Sequence, residues 1–313
     1  MNIAFLDCST VGSTSLKPIE IQGNLTCYPY THEKETIERL QDIDIAIVNK
    51  TKITKEVIDA CPRLKLICVA ATGMNNIDLE YAAQKNIAVK NVADYSTNSV
   101  AQVTFALVLE LINRIGCFDV YVKNGSYSNG TIFSYLEEEF TELAGKRYGI
   151  IGMGNIGKKV AAIAIAFGCE VVYYSTSGKN SSATAYKRVE LDELLETSDI
   201  VSIHAPLNDQ TKKLIALPRL QKMKSSAILI NVGRGGIVNE EDLVTALEQG
   251  YIAGCGLDVY KYEPISADHP FLKTSAKNKM VMLPHIGWAS VEARERLIAK
   301  IAENIKVFKD AQK

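Results

Sequence analysis

The sequence has few of the features that mark secreted, membrane-bound or disulfide-stabilised proteins. Its 313 residues contain seven cysteines, an odd number, and no two of them have CxxC spacing, so neither a disulfide framework nor a thioredoxin-type motif is predicted. The longest apolar run, 160–167, is far shorter than the roughly 20 residues that a membrane-spanning helix needs. The first residues, MNIAFLD, have no basic and no long apolar segment, so we expect no signal peptide.

An excess of charge of one sign is also missing. The 35 Lys and Arg residues nearly balance the 36 Asp and Glu residues, and no basic block stands out. A nucleic-acid or membrane-surface partner therefore has no electrostatic support. No His/Cys/Asp/Glu cluster has metal-ligand spacing, so no metal is predicted. With 47% hydrophobic residues, the composition is that of a globular protein, which we expect in the cytoplasm with reduced cysteines.

Apolar runs alternate with helical patterns along nearly the whole chain. Such alternation predicts parallel sheets covered by helices on both faces, an α/β fold. At about 100–200 residues per domain, the length predicts two domains. We place one at 1–99 plus 287–313 and the other at 100–286. Strands are predicted at 2–7, 43–49, 64–70, 87–91, from Tyr148 into a glycine turn, and at 170–175, 199–206, 227–233, 253–259 and 280–285.

The helical patterns add boundary signals. A long helix is predicted from Ser99, as its N-cap, to about Asn113. Another is predicted at Ile156–Phe167, with Gly168 as its C-terminal cap, and a closing helix at Val291–Lys309. The stretch 116–140 is less periodic and is interpreted as an arm rather than a core element.

A glycine turn follows the strand at Tyr148 and opens the next helix. Its G-x-G-x-x-G string, Gly152-Met153-Gly154-Asn155-Ile156-Gly157, is a weak signal alone but gains weight from this context. The first glycine permits the tight turn, the second leaves room for a pyrophosphate, and the third lets the helix pack close to the sheet. The helix N-terminus would then face the diphosphate, so a bound dinucleotide is predicted.

The ribose end of this site lacks its usual acidic partner. In dinucleotide-binding folds a carboxylate about 20 residues onward binds the ribose hydroxyls. Here that position is near Ser175, and the residues that follow it through Lys179 include no carboxylate. A 2′-phosphate would meet no fixed negative charge, and Lys179 could attract it, but no arginine lies in this turn. The cofactor is therefore left as NAD or NADP, with a slight preference for NADP tolerance.

Seven short strings, in order, point to one family. They are ATGMNNID (71–78), NSVAQVTFALVLEL (98–111), GIIGMGNIG (149–157), HAPL (204–207), INVGRGGIVNE (230–240), GLDVYKYEP (256–264) and PHIGWAS (284–290). With them the chain resembles the D-isomer-specific 2-hydroxyacid dehydrogenases, most closely the glycerate dehydrogenase or hydroxypyruvate reductase branch. The resemblance implies a flavodoxin-like substrate domain and a Rossmann dinucleotide-binding domain, both doubly wound, with a cleft between them.

Three residues are predicted to carry the chemistry. Reduction of a 2-keto acid needs groups that hold the carboxylate, polarise the ketone and protonate the developing alkoxide. A guanidinium can bind a carboxylate through two parallel bonds, and the resemblance implies this role for Arg234. An imidazole exchanges protons near neutral pH, and the resemblance implies that His285 is the acid in reduction and the base in oxidation. Glu263 is implied to hydrogen-bond His285.

The resemblance also implies other contacts with substrate and cofactor. Backbone N–H groups of Thr72 and Gly73 would bind the substrate carboxylate, and the active site would lie in the cleft between the domains. His204 is interpreted as packing or as part of the cofactor wall. The arm at 116–140 suggests a homodimer contact. The remaining predicted cofactor contacts are Thr104, Gly152, Gly154, Asn155, Ile156, Gly157, Ser175, Pro206, Val232, Gly233, Asp258 and Gly287.

Two classes of function stay open. The first is an oxidoreductase that reduces hydroxypyruvate or glyoxylate, or oxidises D-glycerate, with D-lactate or another 2-keto acid as the alternative substrate. The second is a dinucleotide-sensing module like the related C-terminal-binding corepressors, which keep the fold and the same three residues. The near-neutral charge weighs against the second. Oxidation of NADH or NADPH with a panel of 2-keto acids would discriminate between them.

Overall fold

The computed structural model describes residues 1–178 and 185–312. The chain divides into two compact units, one of Met1–Ser96 with Trp288–Lys313 and one of Thr97–Gly287. In chain order the strands and helices are β1 (Asn2–Phe5), α1 (Lys17–Glu20), β2 (Asn24–Cys27), α2 (Thr36–Leu40), β3 (Ile45–Val48), α3 (Lys55–Ala60), β4 (Leu66–Val69), α4 (Leu79–Gln84), β5 (Ala88–Lys90), α5 (Thr97–Asn113), α6 (Ile115–Lys123), β6 (Arg147–Ile151), α7 (Asn155–Ala166), β7 (Glu170–Tyr174), β8 (Lys187–Arg188), α8 (Leu191–Thr197), β9 (Ile200–Ile203), α9 (Leu217–Leu220), β10 (Ile228–Asn231), α10 (Glu240–Glu248), β11 (Gly254–Leu257), α11 (Pro270–Lys273), β12 (Met280–Met282) and α12 (Val291–Asp310). One-turn 3-10 helices lie at Cys8–Val11, Glu33–Glu35, Tyr127–Asn129, Gly235–Ile237 and Lys277–Lys279.

The first unit contains a five-stranded parallel sheet in the order β2-β1-β3-β4-β5. This is the flavodoxin-like order of a doubly wound sheet. Both faces are covered, because successive strand residues such as Ile3 and Ala4 belong to two different apolar clusters. The apolar side of α12, including Leu297 and Ile301, packs into one of these clusters.

The second unit contains a seven-stranded parallel sheet in the order β12-β11-β10-β9-β6-β7-β8. The chain runs outward from β6 to β8 and then returns to β9 on the other side of β6, which is the Rossmann arrangement. Ligands of such sheets bind beyond the carboxyl ends of the strands, where the strand order reverses. The prediction of two doubly wound parallel α/β domains is confirmed.

Some local predictions were wrong or incomplete. Ser99 is not the N-cap of α5, since the helix begins at Thr97 and the Ser99 hydroxyl donates to the Gly287 carbonyl at 2.6 Å. The arm contains an unpredicted helix, α6, with no buried residue. The edge strand β2 was also missed, because its residues are mostly exposed and form no apolar run. Gly168 follows α7 with a φ of 82°, as the capping prediction requires.

The described residues form no helix that is long and apolar enough to cross a membrane.

Candidate active site

The glycine turn joins β6 to α7 and is shaped by the protein's own packing at two of its three glycines. Gly152 has a φ of 97°, and a Cβ there would lie 2.9 Å from the Ala205 nitrogen. A Cβ on Gly157 would lie 2.2 Å from the Gly152 carbonyl oxygen. Neither position can hold a side chain without a shift of the backbone, so these two glycines set the close contact between helix and sheet.

Gly154 differs from its neighbours. A Cβ at Gly154 would meet no described atom within 4 Å, and its φ of −77° suits any residue. Internal packing therefore does not explain this glycine, whereas a ligand that approaches the backbone does. Gly154 is the N-cap of the twelve-residue helix α7, whose first N–H groups and dipole attract an anion. The turn fits the diphosphate of a dinucleotide.

The ribose position at the end of β7 is also polar. Ser175 is buried, and its hydroxyl has no hydrogen-bond partner among the described residues. It lines a cavity of about 410 Å³ together with 176–178 and with Arg188, which is not among the predicted cofactor contacts. Lys179, the cation proposed from the sequence, lies outside the described residues. An orphan buried hydroxyl beside a cavity fits the ribose end of a dinucleotide.

Arg234 follows β10 in a loop that is braced from both sides. The Asn231 side chain donates to the Arg234 carbonyl at 2.9 Å and accepts from the Gly233 N–H at 3.1 Å. A Cβ on Gly235 would lie 1.9 Å from the Tyr260 carbonyl carbon, so this loop packs directly on the segment that leads to Glu263. The guanidinium of Arg234 donates only to the Gly233 carbonyl, at 2.8 Å, in the described contacts. Its other donors remain available for a carboxylate.

His285 and Glu263 form a charge-assisted contact at the end of β12. Nδ1 of His285 lies 2.6 Å from Oε2 of Glu263, and the two side chains are 24% and 27% exposed. The Tyr260 N–H donates to the other Glu263 oxygen at 2.9 Å. His285 has a φ of 56°, a conformation that is uncommon for a residue with a side chain and is often found at functional sites. This arrangement fixes the imidazole through Nδ1 and leaves Nε2 for a substrate.

Asp258 stabilises the backbone after His285. Its carboxylate accepts the Ile286 and Gly287 N–H groups at 2.7 and 2.8 Å. A Cβ on Gly287 would lie 2.7 Å from Asp258 Oδ2, so this close approach requires glycine. Burial raises the pKa of Asp258, while these two N–H groups and the nearby His285 act in the opposite direction. Asp258 therefore positions the turn that presents His285.

Most of the predicted second-unit residues share one edge of the sheet. Because all seven strands are parallel, the residues that follow them lie beyond the same carboxyl edge. These are Gly152 through Gly157 after β6, Ser175 after β7, Pro206 after β9, Val232 through Arg234 after β10, Asp258 after β11 and His285 after β12. Thr104 is different: it is fully buried in α5 and donates to the Val100 carbonyl at 2.8 Å.

The predicted carboxylate-binding loop belongs to the first unit and follows β4. The Thr72 hydroxyl donates to the Val92 carbonyl at 3.1 Å, and the Asn91 side chain donates to the Thr72 carbonyl at 2.6 Å. The Asn76 side chain donates to the Thr51 carbonyl at 2.8 Å. The loop that contains Thr72 and Gly73 is thus fixed by hydrogen bonds with the loops that follow β3 and β5.

Comparison with known proteins decides the family. Residues 105–287 match the profile described as D-isomer specific 2-hydroxyacid dehydrogenase, NAD binding domain. The chain belongs to this family. It is 37% identical over 314 residues to the hydroxypyruvate reductase of Blautia hydrogenotrophica, with 98% of this chain and 97% of that protein covered.

Two solved structures are similar to this chain over nearly its whole length. D-lactate dehydrogenase from Aquifex aeolicus, complexed with NAD and lactic acid, is 28% identical with a TM-score of 0.86, covering 99% of this chain and 96% of that one. An NADPH-dependent glyoxylate/hydroxypyruvate reductase from Sinorhizobium meliloti, complexed with NADP and malonate, is 25% identical with a TM-score of 0.84, covering 98% and 93%. The present chain is an NAD(P)-dependent 2-hydroxyacid dehydrogenase of the hydroxypyruvate reductase and glycerate dehydrogenase branch.

Proposed function

We propose that this dehydrogenase reduces hydroxypyruvate or glyoxylate and oxidises D-glycerate in the reverse direction. The observation that carries the proposal is the pairing of His285 with Glu263 at 2.6 Å, in the same unit and at the same sheet edge as Arg234. The names of the relatives, such as hydroxypyruvate reductase in Blautia hydrogenotrophica, support hydroxypyruvate or glyoxylate and D-glycerate as substrates rather than D-lactate.

The roles of the residues follow from their donors and contacts. The nicotinamide, when bound, supplies or accepts the hydride. The Arg234 guanidinium binds the substrate carboxylate and polarises the carbonyl, because it offers several N–H donors in a planar fork. His285 donates a proton from Nε2 to the oxygen of the reduced carbonyl, since Nδ1 is held by Glu263. In this proposal the backbone N–H groups of Thr72 and Gly73 also bind the carboxylate.

A panel of keto acids tests the proposal. We expect oxidation of NADH or NADPH with hydroxypyruvate and glyoxylate to exceed that with pyruvate. His285→Ala should remove most turnover while dinucleotide affinity stays nearly intact, and Arg234→Lys should raise the KM for the keto acid sharply. His32→Ala, an exposed histidine of the first unit, is the matched control. Tight dinucleotide binding without turnover on any keto acid would instead support a dinucleotide-sensing module.

The proposal includes a homodimer in the cytoplasm. The arm at 116–140 exposes large apolar side chains, including Phe133 at 90%, Leu136 at 76% and Phe140 at 62% exposed. Exposed apolar clusters of this kind mark interaction surfaces, and the resemblance makes a second copy of the chain the partner. The seven cysteines form no disulfide, which suits a reducing compartment.

A further inference from the structure

The cavity beside Ser175 is lined by a cationic side chain, Arg188, whose position there could not be expected from the order of the residues in the sequence. It lies at the carboxyl end of β7, and its lining includes Ser175–Gly178, Arg188, Glu190 and Gln210. Arg188 reaches it from the next strand, because β8 pairs with β7 in a register that sets Arg188 beside Tyr173. A residue that is distant in sequence is thereby brought to the ribose position of the dinucleotide fold.

The Arg188 guanidinium is directed at the turn and forms no ion pair with the described residues. Its Nη1 donates to the Gly178 carbonyl at 3.4 Å. No described carboxylate forms an ion pair with it, whereas its strand neighbour Lys187 is paired with Glu193 at 3.2 Å. A guanidinium has five N–H donors in a planar fork that matches phosphate oxygens. Arg188 therefore has the charge and the donors to bind a phosphate group in the cavity.

Ser175 gives an independent indication that a polar ligand completes this cavity. The residue is 4% exposed, and its hydroxyl has no partner among the described residues. A buried hydroxyl without a partner is unfavourable, so such groups usually have a partner in the functional state. In dinucleotide-binding sheets this position meets the adenosine ribose.

We infer that Arg188 binds the 2′-phosphate of NADP, so that this enzyme prefers NADP(H) over NAD(H). The inference rests on the dinucleotide-dependent function proposed above. The position at the end of β7 offers Ser175 in place of a carboxylate, so no negative charge there opposes a 2′-phosphate. Glu190 lines the same cavity and opposes the phosphate, which limits the preference. Arg188 is thus a specificity-determining residue for the cofactor.

Binding measurements on the full chain test this inference without turnover. Isothermal titration calorimetry should give tighter binding of NADP⁺ than of NAD⁺, and of adenosine 2′,5′-bisphosphate than of 5′-AMP. Arg188→Gln should lower the affinity for NADP⁺ and for the bisphosphate about tenfold or more, as expected for a lost guanidinium–phosphate pair. The affinities for NAD⁺ and 5′-AMP should stay nearly unchanged. Lys187→Gln is the matched control, because Lys187 lies on the same strand and forms an ion pair with Glu193. This substitution should leave all four affinities nearly unchanged.

A second variant tests the opposing charge. Glu190→Gln should strengthen NADP⁺ binding several-fold and leave NAD⁺ binding nearly unchanged. If Arg188→Gln leaves the NADP⁺ affinity unaltered, the inference is wrong. It is also wrong if Glu190→Gln lowers the NAD⁺ affinity about tenfold, because the cavity then recognises ribose hydroxyls. Arg188-dependent binding of the bisphosphate in a protein without keto-acid turnover would uphold the inference while refuting the proposed function.

Discussion

His285 Nδ1 and Glu263 Oε2 are 2.6 Å apart, although the two residues lie in different loops of the second unit. The other Glu263 oxygen is engaged by the Tyr260 N–H, so both carboxylate oxygens have a defined partner. A carboxylate in this position fixes the tautomer and orientation of an imidazole and stabilises its protonated form. The pair is therefore suited to present Nε2 as a proton donor in one fixed direction.

Glu263→Gln should lower kcat for keto-acid reduction by roughly 100-fold, because the amide lacks the charge that stabilises the protonated imidazole. The dissociation constants of NADH and NADPH should stay nearly unchanged. Stopped-flow reduction and fluorescence titration measure the two quantities. Glu241→Gln, an exposed carboxylate on α10, is the control. A variant that keeps wild-type kcat would remove Glu263 from the proposed mechanism.

The two glycines Gly152 and Gly154 should respond differently to alanine. Gly152→Ala places a side chain at a φ of 97° and against the Ala205 backbone, so we expect a loss of about 1–3 kcal/mol in the free energy of unfolding. Gly154→Ala meets no described atom within 4 Å and should leave stability unchanged but weaken dinucleotide binding. Urea unfolding and calorimetric titration check both. Equal loss of stability in both variants would contradict a ligand-facing role for Gly154.

How far the sequence predicts this molecule depends on whether a residue signals its partner locally. Most β-strands of both sheets were predictable because runs such as 45–48 and 228–230 are apolar on both faces, whereas the edge strands β2 and β8 contain no apolar run. The place of Arg188 beside Ser175 was not predictable, because it arises from the pairing of β8 with β7. Asn231 was also missed as the brace of the Arg234 loop, although an Asn at a strand end before glycine is a typical signal for such a turn. Ser99 gave a misleading signal, since its hydroxyl has a tertiary partner.

Glu240 should act as a positioning residue for Glu263. Its carboxylate accepts the Lys261 N–H at 2.7 Å and lies 3.2 Å from His269 Nε2, with both side chains nearly buried at 13% and 11% exposed. Glu240→Ala frees the segment that leads to Glu263, so we expect kcat to fall about tenfold with little change in KM. Glu240→Gln keeps an acceptor for the Lys261 N–H and should restore most of kcat. A purely structural role would lower stability in Glu240→Ala with no change of kcat in the folded fraction.

The exposed arm should control the oligomeric state. Leu136→Ser together with Phe133→Ser removes two large apolar side chains from the proposed contact between copies, and the variant should sediment as a monomer. Val307→Ser, an exposed apolar residue of α12, is the control and should leave the oligomer intact. Analytical ultracentrifugation distinguishes the two. A wild-type monomer at micromolar concentration would refute the homodimer.

His204 should make the stability of the protein depend on pH in a defined window. Its Nε2 lies 2.8 Å from the Ser202 hydroxyl, and its buried Nδ1 has no partner among the described residues. Burial lowers the pKa of His204 to about 3. An unfolded histidine has a pKa of about 6.5. Between these values the unfolded state binds more protons than the folded state, so this residue's contribution to stability falls as the pH falls from about 6.5 toward about 3.

His204→Gln removes this proton uptake and isolates its effect. The free energy of unfolding of wild type should fall relative to the variant by up to about 1.4 kcal/mol per pH unit across that window, because one proton is involved. Urea titrations of both proteins at pH 7, 6 and 5 give the difference, in which contributions from the other titrating groups cancel. His32→Gln, at an exposed site, is the control substitution. If the His204→Gln and wild-type curves are parallel, His204 is not held neutral by burial and remains available as a second proton donor.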